Sequence, residues 1–193
     1  MKHLRLFESI TEIEIEKICK KYNITNWTLN SSGLVDVDGD VYISEKSYSK
    51  LPLKFGRVTG GFWCFDNQLT TLEGCPTEIS ENFYCSGNQL TSLEGCPTEI
   101  GGDFLCSYNQ LTSLKGAPEY IEKKVNFMPN NNLPEFIQQI LELNDNNKDI
   151  QKYILKWQKD YSIWRRDGSF NQARFILMME YAGDELKKLK LPE

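Results

Sequence analysis

Apolar and polar positions recur along the middle of this chain with a period of 21 residues. Val37, Val58, Ile79, Ile100 and Ile121 stand 21 apart. The same step joins Asn67-Gln-Leu-Thr-Thr-Leu72, Asn88-Gln-Leu-Thr-Ser-Leu93 and Asn109-Gln-Leu-Thr-Ser-Leu114. Between these markers stand strand-like triplets: Val41-Tyr-Ile43, Phe62-Trp-Cys64, Phe83-Tyr-Cys85, Phe104-Leu-Cys106 and Val125-Asn-Phe127. A single 21-residue unit cannot bury its apolar side alone, so neighbouring units must stack and share one core. The pattern therefore predicts a repeat solenoid of about five turns, built on a parallel β-sheet. Phe62/Phe83/Phe104, Cys64/Cys85/Cys106, Leu69/Leu90/Leu111 and Leu72/Leu93/Leu114 are its expected inward ladders. Asn67, Asn88 and Asn109 are expected to form a polar ladder, each amide bonding backbone of its own and the next coil. Gly74-Cys-Pro76 and Gly95-Cys-Pro97 are expected to turn the chain on the opposite side.

The period changes outside the repeats. Thr11-Glu-Ile-Glu14 is a capping box, with Ile10 and Ile15 as a hydrophobic staple. Ile15, Ile18, Cys19 and Tyr22 then fall on one helical stripe. Ile24 to Leu29 reads as extended, and Asn30-Ser-Ser-Gly33 as a turn. After Asn109-Gln-Leu the frame is expected to break at Met128-Pro-Asn-Asn-Asn-Leu-Pro134, with Pro134 opening a helix. Three apolar stripes follow: Phe136, Ile137, Ile140 and Leu141; then Ile150, Tyr153, Ile154, Trp157 and Tyr161; then Phe170, Ala173, Ile176, Leu177 and Tyr181. Ser169-Phe-Asn-Gln172 reads as the capping box of the last helix. The expected organisation is an N-terminal helix and cap over 1–33, a solenoid over 34–132 and a C-terminal helical cap over 133–193.

In a strand, the residue between two inward ones points out. Tyr42, Trp63, Tyr84, Leu105 and Asn126 occupy that position. Phe65 and Tyr108 lie just after the inward cysteines, and Asp40 and Asp103 just before the triplets. An exposed aromatic stripe flanked by carboxylates is expected, and clustered exposed aromatics suit an interface. The alternative is that the stripe stacks on itself or is covered by the C-terminal helices.

Composition narrows the chemistry. The net charge is −5, and 37–132 alone carry 7 basic and 12 acidic residues. A nucleic-acid partner of the repeat face is therefore not expected. No apolar run reads as a signal peptide or a membrane span, so a cytoplasmic location is expected. Asp36-Val-Asp38-Gly-Asp40 has its glycine at the fourth position of the calcium-loop pattern rather than the sixth, which argues against calcium. Five of the six cysteines, Cys64, Cys75, Cys85, Cys96 and Cys106, are spaced by 11, 10, 11 and 10, which fits no zinc site, and Cys75 and Cys96 give way to Ala117 in the next turn. Buried structural thiols and no cofactor are expected. His3, the only histidine, makes a Ser-His-Asp or Cys-His pair unexpected. Arg165-Arg166 and Lys187-Lys188 with Lys190 read as solvated helix ends.

Phe-x-Cys-x-x-Asn-x-Leu-Thr-x-Leu resembles the leucine-rich repeat, nearest to the short bacterial kind built without convex helices. Repeats of bacterial pathogen effectors carry a similar Asn-Gln-Leu-Thr-Ser-Leu-Pro. The phrases at 35–41, 54–58 and 93–97 are similar to those of leucine-rich-repeat proteins in bacteriophage genomes. The resemblance covers roughly 27–132. It departs from the common pattern in the four-residue step from Ile79 to Phe83, where three is usual. The effectors join their repeats to a ligase domain with a catalytic cysteine; 133–193 contain no cysteine, so that chemistry does not carry over. The resemblance implies a phage protein acting in a host cytosol.

These observations predict a non-catalytic protein-binding module, using Asp40, Tyr42, Trp63, Phe65, Tyr84, Asp103, Leu105 and Tyr108. The expected partner is a protein, such as a host protein of antiviral defence. The alternative is a virion-associated or self-assembling protein, a homo-oligomer whose repeat face packs on its copies. An enzyme is the least supported reading.

Overall fold

The computed structural model describes residues 11–44, 47–185 and 190. His3, the Ile10 half of the staple and Lys187-Lys188 lie outside the described residues. The chain forms a parallel-strand β-solenoid of about four turns with helices at the ends.

Each turn contributes two short strands rather than one, and the strands build two sheets. The first, sheet A, orders β1 (Trp27–Leu29), β2 (Val35–Val37), β4 (Phe55–Val58), β6 (Glu78–Ile79), β8 (Glu99–Ile100) and β10 (Tyr120–Ile121). The second, sheet B, orders β11 (Val125–Asn126), β9 (Phe104–Leu105), β7 (Phe83–Tyr84), β5 (Phe62–Trp63) and β3 (Val41–Tyr42). All pairs are parallel except β1 with β2. The four-residue step from Ile79 to Phe83 holds the bend between the sheets. It lets both side chains point inward, at 2% and 0% exposure, while Glu81 between them is exposed.

The four predicted inward ladders are fully buried. Phe83 stacks on Phe104 with ring centres 5.7 Å apart, and meets Phe62 at 6.1 Å. The asparagine ladder is present, but its amides reach back to the preceding turn. Asn88 Nδ2 donates to Cys64 O at 2.9 Å and Cys85 O at 3.0 Å, and its Oδ1 accepts the Leu69 N–H at 2.9 Å. Asn67 and Asn109 repeat the arrangement. So does Asn130, which donates to Cys106 O at 3.1 Å and accepts the Leu111 N–H at 3.3 Å. The repeat frame thus persists one step beyond the expected break at Met128, because this asparagine sits 21 residues after Asn109.

Helix α1 (Glu12–Lys21) carries the predicted capping box at Thr11 and buries Ile15 and Cys19. At the other end, α2 (Glu135–Leu143) begins one residue later than expected, with Pro134 at its N-cap position and making no side-chain cap bond. Helix α3 (Lys148–Trp157) closes the last turn: Gln151 Oε1 accepts the Phe127 N–H at 2.7 Å, and Lys152 donates to Glu122 O at 2.8 Å. Helix α4 (Gln172–Glu185) departs from the expected stripe. Phe175, Met178, Met179 and Ala182 are buried, whereas Leu177 and Tyr181 are exposed. The two stripes are adjacent on the helix, and packing selects the one carrying the flexible methionines. Asn171, not Ser169, caps α4, accepting the Arg174 N–H at 3.3 Å. Ser169 instead bonds Asp167 within the preceding turn, where Trp164 bridges Phe170. Arg165 and Arg166 belong to that turn, so they are not a helix end. Among the described residues no helix is long and apolar enough to cross a membrane.

Candidate functional site

Sheet B positions the predicted stripe. Tyr42, Trp63, Tyr84, Leu105 and Asn126 are Cα register partners on successive parallel strands, so their side chains stand in one row on its outer face. The row stacks on itself in part. The Tyr42 and Trp63 rings lie parallel, centres 4.3 Å apart, and Trp63 meets Tyr84 edge-on at 6.2 Å. The C-terminal helices do not cover Tyr42, which is 54% exposed. Trp63, Tyr84 and Leu105 are half-buried, as is Phe65.

Gly61 explains how Trp63 fits. A Cβ at that position would lie 2.1 Å from the indole ring, so the indole occupies the space a side chain would take. The neighbouring turns place Asp40, Asn82 and Asp103 at the matching position of the repeat. Their side-chain oxygens accept backbone N–H groups of the following turn. Asp40 Oδ1 takes Gly61 N–H at 2.9 Å, Asn82 Oδ1 takes Asp103 N–H at 2.8 Å, and Asp103 Oδ1 takes Lys124 N–H at 3.0 Å. The bend between the sheets is thus bonded from turn to turn by this second polar ladder. Asp40 keeps its other oxygen 3.5 Å from the Tyr42 hydroxyl.

Tyr108 stands at the corner after sheet B and is 69% exposed. Its φ of 54° matches the left-handed backbone of Asp66 and Gly87 at the equivalent positions. The corner, rather than strand alternation, sets its direction. Desolvation first, and Asp40 second, raise the Tyr42 phenol above its ordinary value; desolvation and then Asp103 do the same for Tyr84. Both hydroxyls are therefore neutral donors at physiological pH.

All six cysteines are free, five of them buried and Cys96 half-buried. Burial pushes the Cys75, Cys85 and Cys96 thiols well above their ordinary range, so they lack the thiolate that a nucleophile needs. Among the described residues no group of three or more His, Cys, Asp or Glu side chains could hold a metal ion. Sequence reasoning missed a groove of about 840 Å³ between the loops at 96–98 and 115–119 and the end of α3. Arg165 and Arg166, which contribute to it, were its only sequence signal. No protein-family model matches the chain, and neither a curated protein nor a solved structure is significantly similar to it.

Proposed function

We propose that this chain is a non-catalytic protein-binding module that takes its partner on the outer face of sheet B. The observation that carries the reading is the in-register row Tyr42, Trp63, Tyr84 and Leu105, with Tyr42 more than half exposed at one end. A row of rings anchored on a rigid sheet loses little conformational freedom when covered, which favours affinity. Tyr42 and Trp63 are stacked face to face, which holds both rings in place before a partner arrives. Tyr108 extends the surface past the corner. Asp40, whose second oxygen accepts from the Tyr42 hydroxyl, adds a carboxylate at the rim, while Asp103 serves mainly to hold the bend.

In this reading the solenoid is of the leucine-rich-repeat type, with five turns over 34–132. The resemblance to bacteriophage repeat proteins makes a host protein in the cytosol the partner of choice. A photo-crosslinking amino acid placed at Tyr42, Tyr84 or Tyr108 tests this in cells. Heterologous adducts at these positions, and none from Gln89 on another face, are the expected result. Adducts only between copies of the chain would replace the reading with self-assembly.

A further inference from the structure

The groove beside the C-terminal cap is a separate surface, since no residue of the sheet B stripe lines it. Its floor is apolar, formed in part by Ala117, Pro118, Trp157 and Trp164. Its rim is cationic: among the described residues, Lys115, Lys156, Lys159, Arg165 and Arg166 line it together with the acidic Glu119 and Asp160. Five positive charges against these two and the Glu94 carboxylate that pairs with Lys115 leave an excess of +2 locally, in a chain whose net charge is −5.

Three of the cations are committed. Lys159 pairs with Glu119 at 2.8 Å, and Lys115 with Glu94, outside the groove, at 2.9 Å. Arg165 donates to Phe170 O at 2.7 Å and Ser169 Oγ at 3.2 Å. Lys156 and Arg166 are both exposed, and neither makes an ion pair within the described residues. Lys156 Nζ lies 4.5 Å from the centre of the Trp157 ring and covers it. The Trp157 Nε1–H itself is buried, with no acceptor among the described residues. A buried donor without an acceptor is destabilising, and the simplest remedy is an acceptor brought in from outside.

We infer that this groove binds an acidic segment of a partner protein. An apolar side chain of the segment lies on the tryptophan and proline floor, and its carboxylates pair with Lys156 and Arg166. The chemistry favours a short peptide over a nucleic acid. Isolated carboxylates beside an apolar residue match two cations without ion pairs beside an apolar floor, where a continuous polyphosphate would need a longer run of free cations.

The test uses a fluorescein-labelled pentapeptide of four glutamates around a central tryptophan, its four-lysine counterpart, and labelled decathymidylate. Anisotropy should show saturable binding of the acidic peptide alone. Lys156→Glu with Arg166→Glu, at exposed positions, should leave the melting curve in place and weaken that binding by at least about tenfold. In ¹⁵N-labelled protein the Trp157 indole resonance, assigned with Trp157→Phe, should shift as unlabelled peptide is added. Tyr42→Ala should change none of this, so the groove and the sheet B site fail or succeed independently. Absent or non-saturable binding, equal binding of the lysine peptide, tighter binding of decathymidylate, or indifference to the double charge reversal would each overturn the inference.

Discussion

Replacing Asn88 by alanine isolates the interaction that holds successive turns in register. The side chain is 6% exposed and bridges two turns. Its loss leaves the buried Leu69 N–H without its acceptor. The two carbonyls fare better, because Cys64 O still accepts from Asn67 and Cys85 O from Asn109. One orphaned buried donor costs about 1–3 kcal/mol, so Asn88→Ala should destabilise the fold by about 2 kcal/mol. Asn109→Ala should cost a similar amount, orphaning the Leu90 N–H. The double variant separates a ladder from two independent side chains, since Cys85 O then loses both amide donors. Its cost should exceed the sum of the singles by about 1 kcal/mol, a coupling expected only for shared partners. Urea unfolding followed by circular dichroism gives all three values. Singles within about 0.5 kcal/mol of wild type, or a strictly additive double variant, would refute the bonding scheme.

Phe83→Ala, which removes a ring from the fully buried stack, should cost about 3–5 kcal/mol in the same assay, against about 1 kcal/mol for Trp63→Ala, whose half-buried ring loses mainly its stacking on Tyr42. Gly61→Ala puts a methyl group where the Trp63 indole lies, and should swing that ring off Tyr42; a red-shifted Trp63 emission, read with the other three tryptophans replaced by phenylalanine, checks it. Burial raises the Cys19 thiol from its ordinary 9.0 to about 11. The fold favours the neutral thiol, so the contribution is intact below pH 9 and lost as pH rises toward 11; with Cys75, Cys85 and Cys96 shifted the same way, stability should fall over that window, and a flat profile in urea titrations would contradict it.

The solenoid was legible because one physical requirement repeats in register: Phe62, Phe83 and Phe104 occupy the same buried place, as do Leu69, Leu90 and Leu111. The second sheet was not legible. A four-residue step between Ile79 and Phe83 keeps both side chains inward whether the strand runs straight or bends, so spacing alone does not reveal a corner. The roles of Asp40 and Asp103 were hidden for a similar reason: a carboxylate capping the N–H of the next turn reads in sequence like one offered to a partner. In α4 two adjacent apolar stripes competed, and only the packing of Phe175 and Met178 against the cap decides between them. The groove joins loops at 96–98 and 115–119 to residues past 155, a distance along the chain that no local pattern spans.

Calorimetric titration of a photo-crosslinked heterologous partner into wild type, Tyr42→Ala, Tyr84→Ala and Gln89→Ala measures the sheet B assignment most directly. Loss of at least about 2 kcal/mol, roughly thirtyfold in Kd, for one of the tyrosine variants is expected, with Gln89→Ala indistinguishable from wild type. Wild-type affinity in both folded tyrosine variants would contradict binding on the aromatic face.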